Sequence, residues 1–178
     1  MLHTCGCGKT QSTISKPGST CGSLLHTGWR LLLTLKNMII DQAQTYRDKI
    51  VELLAAEKLP VADLPDTLDN FIVAIQDGNL VGVGGVEVYG YYGLLRSLAV
   101  HPDHRGTGIA GKLLARLDNI SKKNGLSALY LLTETAPAYF ERKKYSKIKR
   151  EEVPVEVQQS SEFGHVCPVS AIVMKKEL

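Results

Sequence analysis

Three glycines, Gly106, Gly108 and Gly111, follow Arg105 in the stretch VHPDHRGTGIAGKLL, residues 100–114. Each costs a helix about 1 kcal/mol relative to alanine, so three at the mouth of a helix need a reason. Glycines at a strand-to-helix junction let backbone N–H groups face a ligand with no side chain between. The first helical turn adds its unpaired N–H groups and the positive end of its dipole, which together make an anion site, most often for phosphate. Arg105 adds a fixed charge and a planar fork of donors suited to phosphate oxygens. A tight turn alone would need one such glycine; three behind an arginine point to phosphate.

Three phosphate motifs overlap here. Gly106-x-Gly108-x-x-Gly111 spells the dinucleotide fingerprint, with Glu134 following at about the right distance. The first glycine of that fingerprint should close the strand. Instead His101–Arg105 intervene, and the 67 residues after Gly111 are too few for the rest of such a fold. Gly106-x-x-x-x-Gly111-Lys112 nearly spells a P-loop, but Leu113 stands where a hydroxyl should hold magnesium. The third motif, Arg-x-x-Gly-x-Ala, is met by Arg105, Gly106, Thr107, Gly108, Ile109 and Ala110.

The elements that must position this loop are legible from periodicity. Met38–Ile40 reads as a short strand and residues 41–60 as an amphipathic helix ended by Pro60. Phe71–Gln76, Leu80–Val88 and Leu94–Val100 read as an antiparallel meander with a turn at Asp77-Gly78-Asn79. Ile109, Leu113, Leu114, Leu117 and Ile120 stripe one face of a helix that Asn124-Gly125 stops. Residues 126–133, nearly all apolar, read as a strand buried on both faces, which implies one parallel crossover. A short helix follows in ETAPAYFERKKY, with Thr135 as its expected cap and Pro137 in its first turn. SKIKR and SAIVMKK read as final strands, and the segment between them as a loop with a helical turn. The class is α+β, a mixed, mostly antiparallel sheet of six to seven strands with flanking helices.

Composition narrows the function. The 178 residues are 44% apolar and 22% charged, one ordinary soluble domain. Residues 1–37 carry +4 and no acid; the remainder carries −1, which gives no reason to expect nucleic acid. Residues 1–37 read as an extension, disordered or translated from upstream of a natural start at Met38, with 38–178 as the domain; an organelle transit peptide is the alternative, for which the stretch is poor in arginine. LLLTL (31–35) is too short for a bilayer span or a signal-peptide core. Cys5, Cys7, Cys21 and Cys167 form no secreted disulfide framework, and Cys5, Cys7, Cys21 and His26 match no common zinc spacing, so no metal is expected. A cytoplasmic protein without membrane partners is the expectation.

LAVHPDHRGTGIAGKLL closely resembles the acetyl-CoA loop of the GCN5-related N-acetyltransferase (GNAT) superfamily, and the resemblance runs from about Met38 to the C-terminus. It implies a GNAT fold in which the strand 94–100 splays from its parallel neighbour 126–133. It implies pantetheine along the backbone of Leu98, Ala99 and Val100, and pyrophosphate on Gly106, Thr107, Gly108, Ile109 and Ala110 beside Arg105. The Leu98 N–H would stabilise an oxyanion. Amine attack needs a neutral nitrogen, so Glu87 or Glu134 is the expected base. The family tyrosine that would protonate the leaving thiolate falls on Phe140, which leaves Tyr139, Tyr145 or water.

SAIVMKKEL and LYLLTETAPAYFERKKY also resemble the acetyltransferase domain of N-acetylglutamate synthases. GVEVYGYYGLLRSLAV and SSEFGHVCPVSAIVMKK resemble acetyltransferases of arsenic-resistance operons, whose relatives acetylate amino-acid-like toxins. The acceptor implied is a small amino-acid-like amine. Arg96, two residues before Leu98 and so on its face by strand alternation, would hold a carboxylate or arsinate, or else be a surface or ion-paired arginine; Cys167 would touch the substrate or arsenic, or else be a small apolar filler. A homodimer is compatible with the family, in which dimerisation is common. A non-catalytic acetyl-CoA-binding sensor of the same fold is the alternative, motivated by Phe140.

Overall fold

The structure, a computed structural model, describes residues 38–166, 168 and 170–178. The expectations for residues 1–37, including Cys5, Cys7, Cys21 and His26, and that for Cys167 fall outside these residues. Seven strands form one sheet: β1 (Met38–Gln42), β2 (Phe71–Gln76), β3 (Asn79–Tyr89), β4 (Tyr92–Val100), β5 (Ala128–Thr133), β6 (Ser146–Ile148) and β7 (Ile172–Glu177). Their order is β1-β2-β3-β4-β5-β7-β6. The helices are α1 (Arg47–Ala56), α2 (Ile109–Lys123), α3 (Pro137–Glu141) and α4 (Val155–Gln158). All described pairings are antiparallel except β4 with β5, which α2 joins as the crossover.

Each face of the sheet has its own core. Ile109, Leu113 and Leu117 of α2 pack on Val86, Leu95, Leu129 and Leu131. Ile50 and Leu54 of α1 pack on the other face, against Phe71, Val73, Val83 and Ala99. Leu94 and Tyr130 continue that second face toward Val157 of α4 and Phe163. The nearly unbroken apolar run of β5 is thus explained: Ala128 and Tyr130 serve one core, Leu129 and Leu131 the other.

Two local expectations need correction. The first helix does not begin at residue 41, because Asp41 and Gln42 pair with Val73 and Ile72 as part of β1; helix follows only at Arg47, after a single 3-10 turn. Thr135 is not the cap of α3. Thr133 is the hydroxyl that accepts from the Ala136 N–H, at 3.2 Å, because Thr133 ends β5 and stands three residues ahead.

Two features of β4 create the site. Its pairing with β5 covers only Tyr92–Leu94 against Ala128–Tyr130. Beyond Leu94 no described strand takes that edge, while β5 continues along β7 to Thr133. On its other edge the register with β3 slips: Val83 pairs with Ala99 but Gly85 pairs with Arg96. Ser97 and Leu98 therefore oppose the single residue Gly84, a β-bulge, and Ser97 takes φ of 55° to accommodate it.

Candidate functional site

A cleft of about 1030 Å³ opens where β4 and β5 part. Leu95–Leu98 and Val100 form one wall and Leu131–Thr133 the other. The loop before α2 closes one end, and Arg96 with Glu162 marks another part of the lining.

At the loop end, Gly106 (φ 75°) and Gly108 (φ 84°) hold the left-handed conformation that side chains resist. A Cβ on either would meet open space, so backbone shape, not crowding, demands glycine there. Gly108 is the N-cap of α2 and supplies no side-chain cap. The first-turn N–H groups of Ile109, Ala110 and Gly111 thus have no side-chain cap, at the positive end of a 15-residue helix. The third glycine works differently. A Cβ on Gly111 would come within 3.1 Å of Lys143 Nζ, so Gly111 makes room for that ammonium beside the loop. Lys143 also lines the cleft. Sequence reasoning missed it, because it lies 32 residues on, after α3, and only tertiary packing returns it to α2.

Arg105 stands at the loop as expected and is more than half exposed. Its Nε donates to the Val100 carbonyl at 3.1 Å and its Nη2 pairs with Glu57. Thr107 Oγ1 donates to the His104 carbonyl at 2.5 Å, which braces the turn. Leu98, Val100, Arg105, Gly106, Gly108, Ile109 and Ala110 all line the cleft; Ala99 turns instead into the α1 core.

The bulge reverses the expected placement of Arg96. Arg96 and Ala99 face the α1 side with Gly85 and Val83, whereas Leu98 packs toward α2. Arg96 and Leu98 do not share a face. Nor is Arg96 a free fork for an anion. Its side chain is 1% exposed and enclosed by three carboxylates: Asp63 at 2.8 Å, Glu162 at 3.3 Å, and Glu87. Nη1 also donates to the Asp63 carbonyl at 3.1 Å. Burial opposes the charge, yet the hydrogen bond with Asp63 and the charges of Glu162 and Glu87 raise its pKa overall.

The two expected bases separate. Glu87 is spent within this cluster: Oε1 accepts from Arg96, and Oε2 accepts from the Tyr89 hydroxyl at 2.5 Å. Burial first, then that bond, raises the Tyr89 pKa. Glu134 is exposed and lines the cleft just past β5. A third carboxylate, Glu162, lines the cleft while buried to 7% exposure. Burial pushes it up to about 7; Arg96 lowers it, and Asp63 and Glu87 raise it further. It was not foreseen, because it lies in a segment read as a loop.

Of the tyrosines, Tyr139 lines the cleft beside Phe140. Its Oη is buried with no hydrogen-bond partner among the described residues. Burial raises its pKa, with Arg142 acting the other way. Tyr145 is not among the cleft-lining residues. Burial and then Asp118 raise its pKa, and Lys176 lies over its ring. Among the described residues no cluster could hold a metal ion, and no helix is long and apolar enough to cross a membrane.

A parallel pair splayed over a glycine-shaped helix N-terminus defines the class: this is the GNAT fold. Residues 67–147 match the family model described as acetyltransferase (GNAT) domain. N-acetylglutamate synthase from Neisseria gonorrhoeae, solved with coenzyme A and N-acetyl-glutamate, superposes with a TM-score of 0.66 at 18% identity, over 80% of this chain and 35% of that one. Rv2747 from Mycobacterium tuberculosis, solved with CoA and NLQ, gives 0.64 at 22% identity, over 79% of this chain and 99% of its own. An IAA acetyltransferase of Azospirillum brasilense is 29% identical over 115 residues, 56% of this chain and 75% of that protein. An amino-acid acetyltransferase of Aeromonas salmonicida is 23% identical over 52% of this chain, but the match spans only 21% of the relative's length.

Proposed function

We propose that the protein is an acetyl-CoA-dependent N-acetyltransferase acting on the amine of a small amino-acid-like substrate. One observation carries this: the uncapped N-terminus of α2, shaped by two left-handed glycines, faces the cleft left by the parting of β4 and β5. The residues fit the cofactor. The α2 amides, Arg105 and Lys143 match its phosphates. The unpaired edge of β4 beyond Leu94 offers backbone groups to its amide-bearing arm. When bound it supplies an activated thioester; the chain supplies alignment, an N–H near Leu98 for developing negative charge, and groups that move protons. Tyr139, whose hydroxyl stays protonated at neutral pH, is the donor for the departing sulfur in place of Phe140.

The amino-acid-like acceptor is supported by the amino-acid acetyltransferases and by the N-acetyl-glutamate complex among the relatives. Amino acids bearing arsinate or phosphinate groups belong in the substrate panel on the motif resemblance alone. Arg96, expected to hold that group, is already surrounded by carboxylates, so the group would need another cation.

The test is a thermal-shift series with acetyl-CoA, ATP and NAD, followed by an amine screen for thiol release. A ligand at about 100 times its Kd adds roughly 2.7 kcal/mol, a rise on the order of 5–10 °C for a domain of this size. A rise with acetyl-CoA and turnover of an α-amine is expected. A rise with ATP or NAD alone overturns the reading. A rise with acetyl-CoA and no turnover of any amine favours a non-catalytic sensor.

A further inference from the structure

The charges around Arg96 do not balance. One guanidinium faces Asp63, Glu87 and Glu162, all largely buried. Buried anions in excess are costly, so the cluster must hold a proton or recruit a cation. Two of the three carboxylates are engaged away from the cleft, Glu87 by hydrogen bonds and Asp63 by its ion pair with Arg96. Glu87 uses both oxygens, one on Arg96 and one on Tyr89. Asp63 meets Arg96 at 2.8 Å and does not line the cleft. Glu162 meets Arg96 through Oε1 alone, at 3.3 Å, and of the three it alone lines the cleft. It stands on the segment before β7, against Arg96 of β4.

Resting on the acetyltransferase reading, we propose that Glu162 is the proton acceptor for the incoming amine, with Arg96, Asp63 and Glu87 as positioning residues that hold its carboxylate in place. The excess negative charge draws the acceptor as R–NH3+. Its proton passes to the Glu162 carboxylate, which becomes a carboxylic acid and leaves a nitrogen lone pair. That pair forms the C–N bond at the thioester carbonyl carbon while the C–S bond breaks, its electrons leaving with sulfur. A second proton from nitrogen reaches the sulfur, through Tyr139 or water, and Glu162 returns its proton to solvent. An ammonium and a thioester thus become an amide, a thiol and one released proton.

The groups that face Glu162 suit this role. Arg96 from β4 favours its ionised form, while burial, Asp63 from the segment after α1, and Glu87 from β3 favour its protonated form. A base whose affinity for protons lies near the working pH is most effective. Glu134, the rival in the cleft, is exposed and has no charged partner among the described residues.

The test uses the full chain, acetyl-CoA, and L-glutamate, L-glutamine and 1,4-diaminobutane as acceptors, with kcat/KM followed from pH 5.5 to 10. Glu162→Gln should lose roughly 100-fold or more near pH 7, the scale of a lost general base, with an unchanged acetyl-CoA thermal shift. Its deficit should narrow above the amine's own pKa, where the amine arrives neutral. Asp63→Asn, which keeps Glu162 and removes one neighbouring anion, should move the acid limb of the profile down. Without any ligand, the thermal midpoint of the native chain should fall relative to that of Glu162→Gln as pH rises from 5 to 8. A Glu162→Gln enzyme within threefold of native with the same acid limb overturns the proposal. So does a deficit equal at every pH, which marks a structural role, or a loss of the limb in Glu134→Gln instead. No turnover of any amine by the native chain overturns the acetyltransferase reading itself and takes this proposal with it.

Discussion

Arg96 and Leu98 lie on opposite faces of β4, although they are two residues apart in one strand. The bulge at Ser97 inserts an extra residue against Gly84, so alternation restarts after it. Arg96 is thereby sent into the acidic cluster and Leu98 toward α2. Ser97 pays for this with a left-handed backbone, which a residue with a side chain adopts at a cost of about 1 kcal/mol. Ser97→Gly should therefore be more stable by roughly 0.5–1 kcal/mol in urea denaturation, with acetyl-CoA binding retained. Ser97→Val, stiff at its branched Cβ, should be less stable by about 1–2 kcal/mol.

Gly108 and Gly111 should respond differently to alanine. At Gly108, φ of 84° makes any side chain strained, and the loop must reshape. Gly108→Ala should weaken acetyl-CoA binding by roughly tenfold or more, about 1.4 kcal/mol or above. At Gly111 the new methyl meets only the far end of Lys143, which can swing aside. Gly111→Ala should change stability little and affinity by a few-fold at most. Isothermal titration of both variants separates the two roles.

Lys143 gives a charge-specific prediction. Lys143→Met keeps the length of the side chain and removes the ammonium beside the α2 N-terminus. Acetyl-CoA affinity should fall roughly three- to tenfold at low salt, and the difference should shrink at 1 M salt, where the screening length is about 3 Å. Equal affinities at low salt would remove Lys143 from the site.

Glu162 should make stability depend on pH. Its folded-state value of about 7 exceeds its ordinary 4.5, so between these pH values the folded protein holds a proton that the unfolded chain releases. The group's contribution is most favourable below about pH 4.5 and is lost as pH rises through 7. At about 1.4 kcal/mol per pH unit, the loss is on the order of 3 kcal/mol. Glu162→Gln lacks this slope and should exceed the native chain in stability at pH 8, although it removes an ion-pair partner. Arg96 tolerates that removal because Asp63 and Glu87 remain. Chemical denaturation at pH 5, 6.5 and 8 measures the slope.

Tyr139→Phe should lower kcat by roughly 10- to 100-fold with KM for acetyl-CoA unchanged. The hydroxyl it removes is buried without a partner among the described residues, so stability should hold or rise slightly. A kcat within twofold of native would assign proton delivery to water.

The elements were readable because their periodicities were strong. The stripe of Ile109, Leu113 and Leu117 could only be one helix face, and β2 appears at Phe71–Gln76 as its apolar run suggests. The errors came where long-range pairing overrode local pattern, as at Asp41 and Gln42, which β2 draws into β1. The glycine turn before α2 was legible because its conformation is carried by consecutive residues. The acidic cluster was not, because Asp63, Glu87, Arg96 and Glu162 come from four separate segments with no spacing to link them.

The sequence by itself determined the GNAT-type order of elements and the place of the glycine turn before α2, since hydrophobic period and glycine conformation are properties of short stretches. Only the tertiary structure decided which side chains share the cleft. It made Arg96 the centre of an acidic cluster, brought Lys143 to Gly111, and set Glu162 against Arg96 at the cleft. The physical reason is that a single bulge inverts strand alternation, and the interaction between charges depends on their separation in space, which sequence distance does not encode.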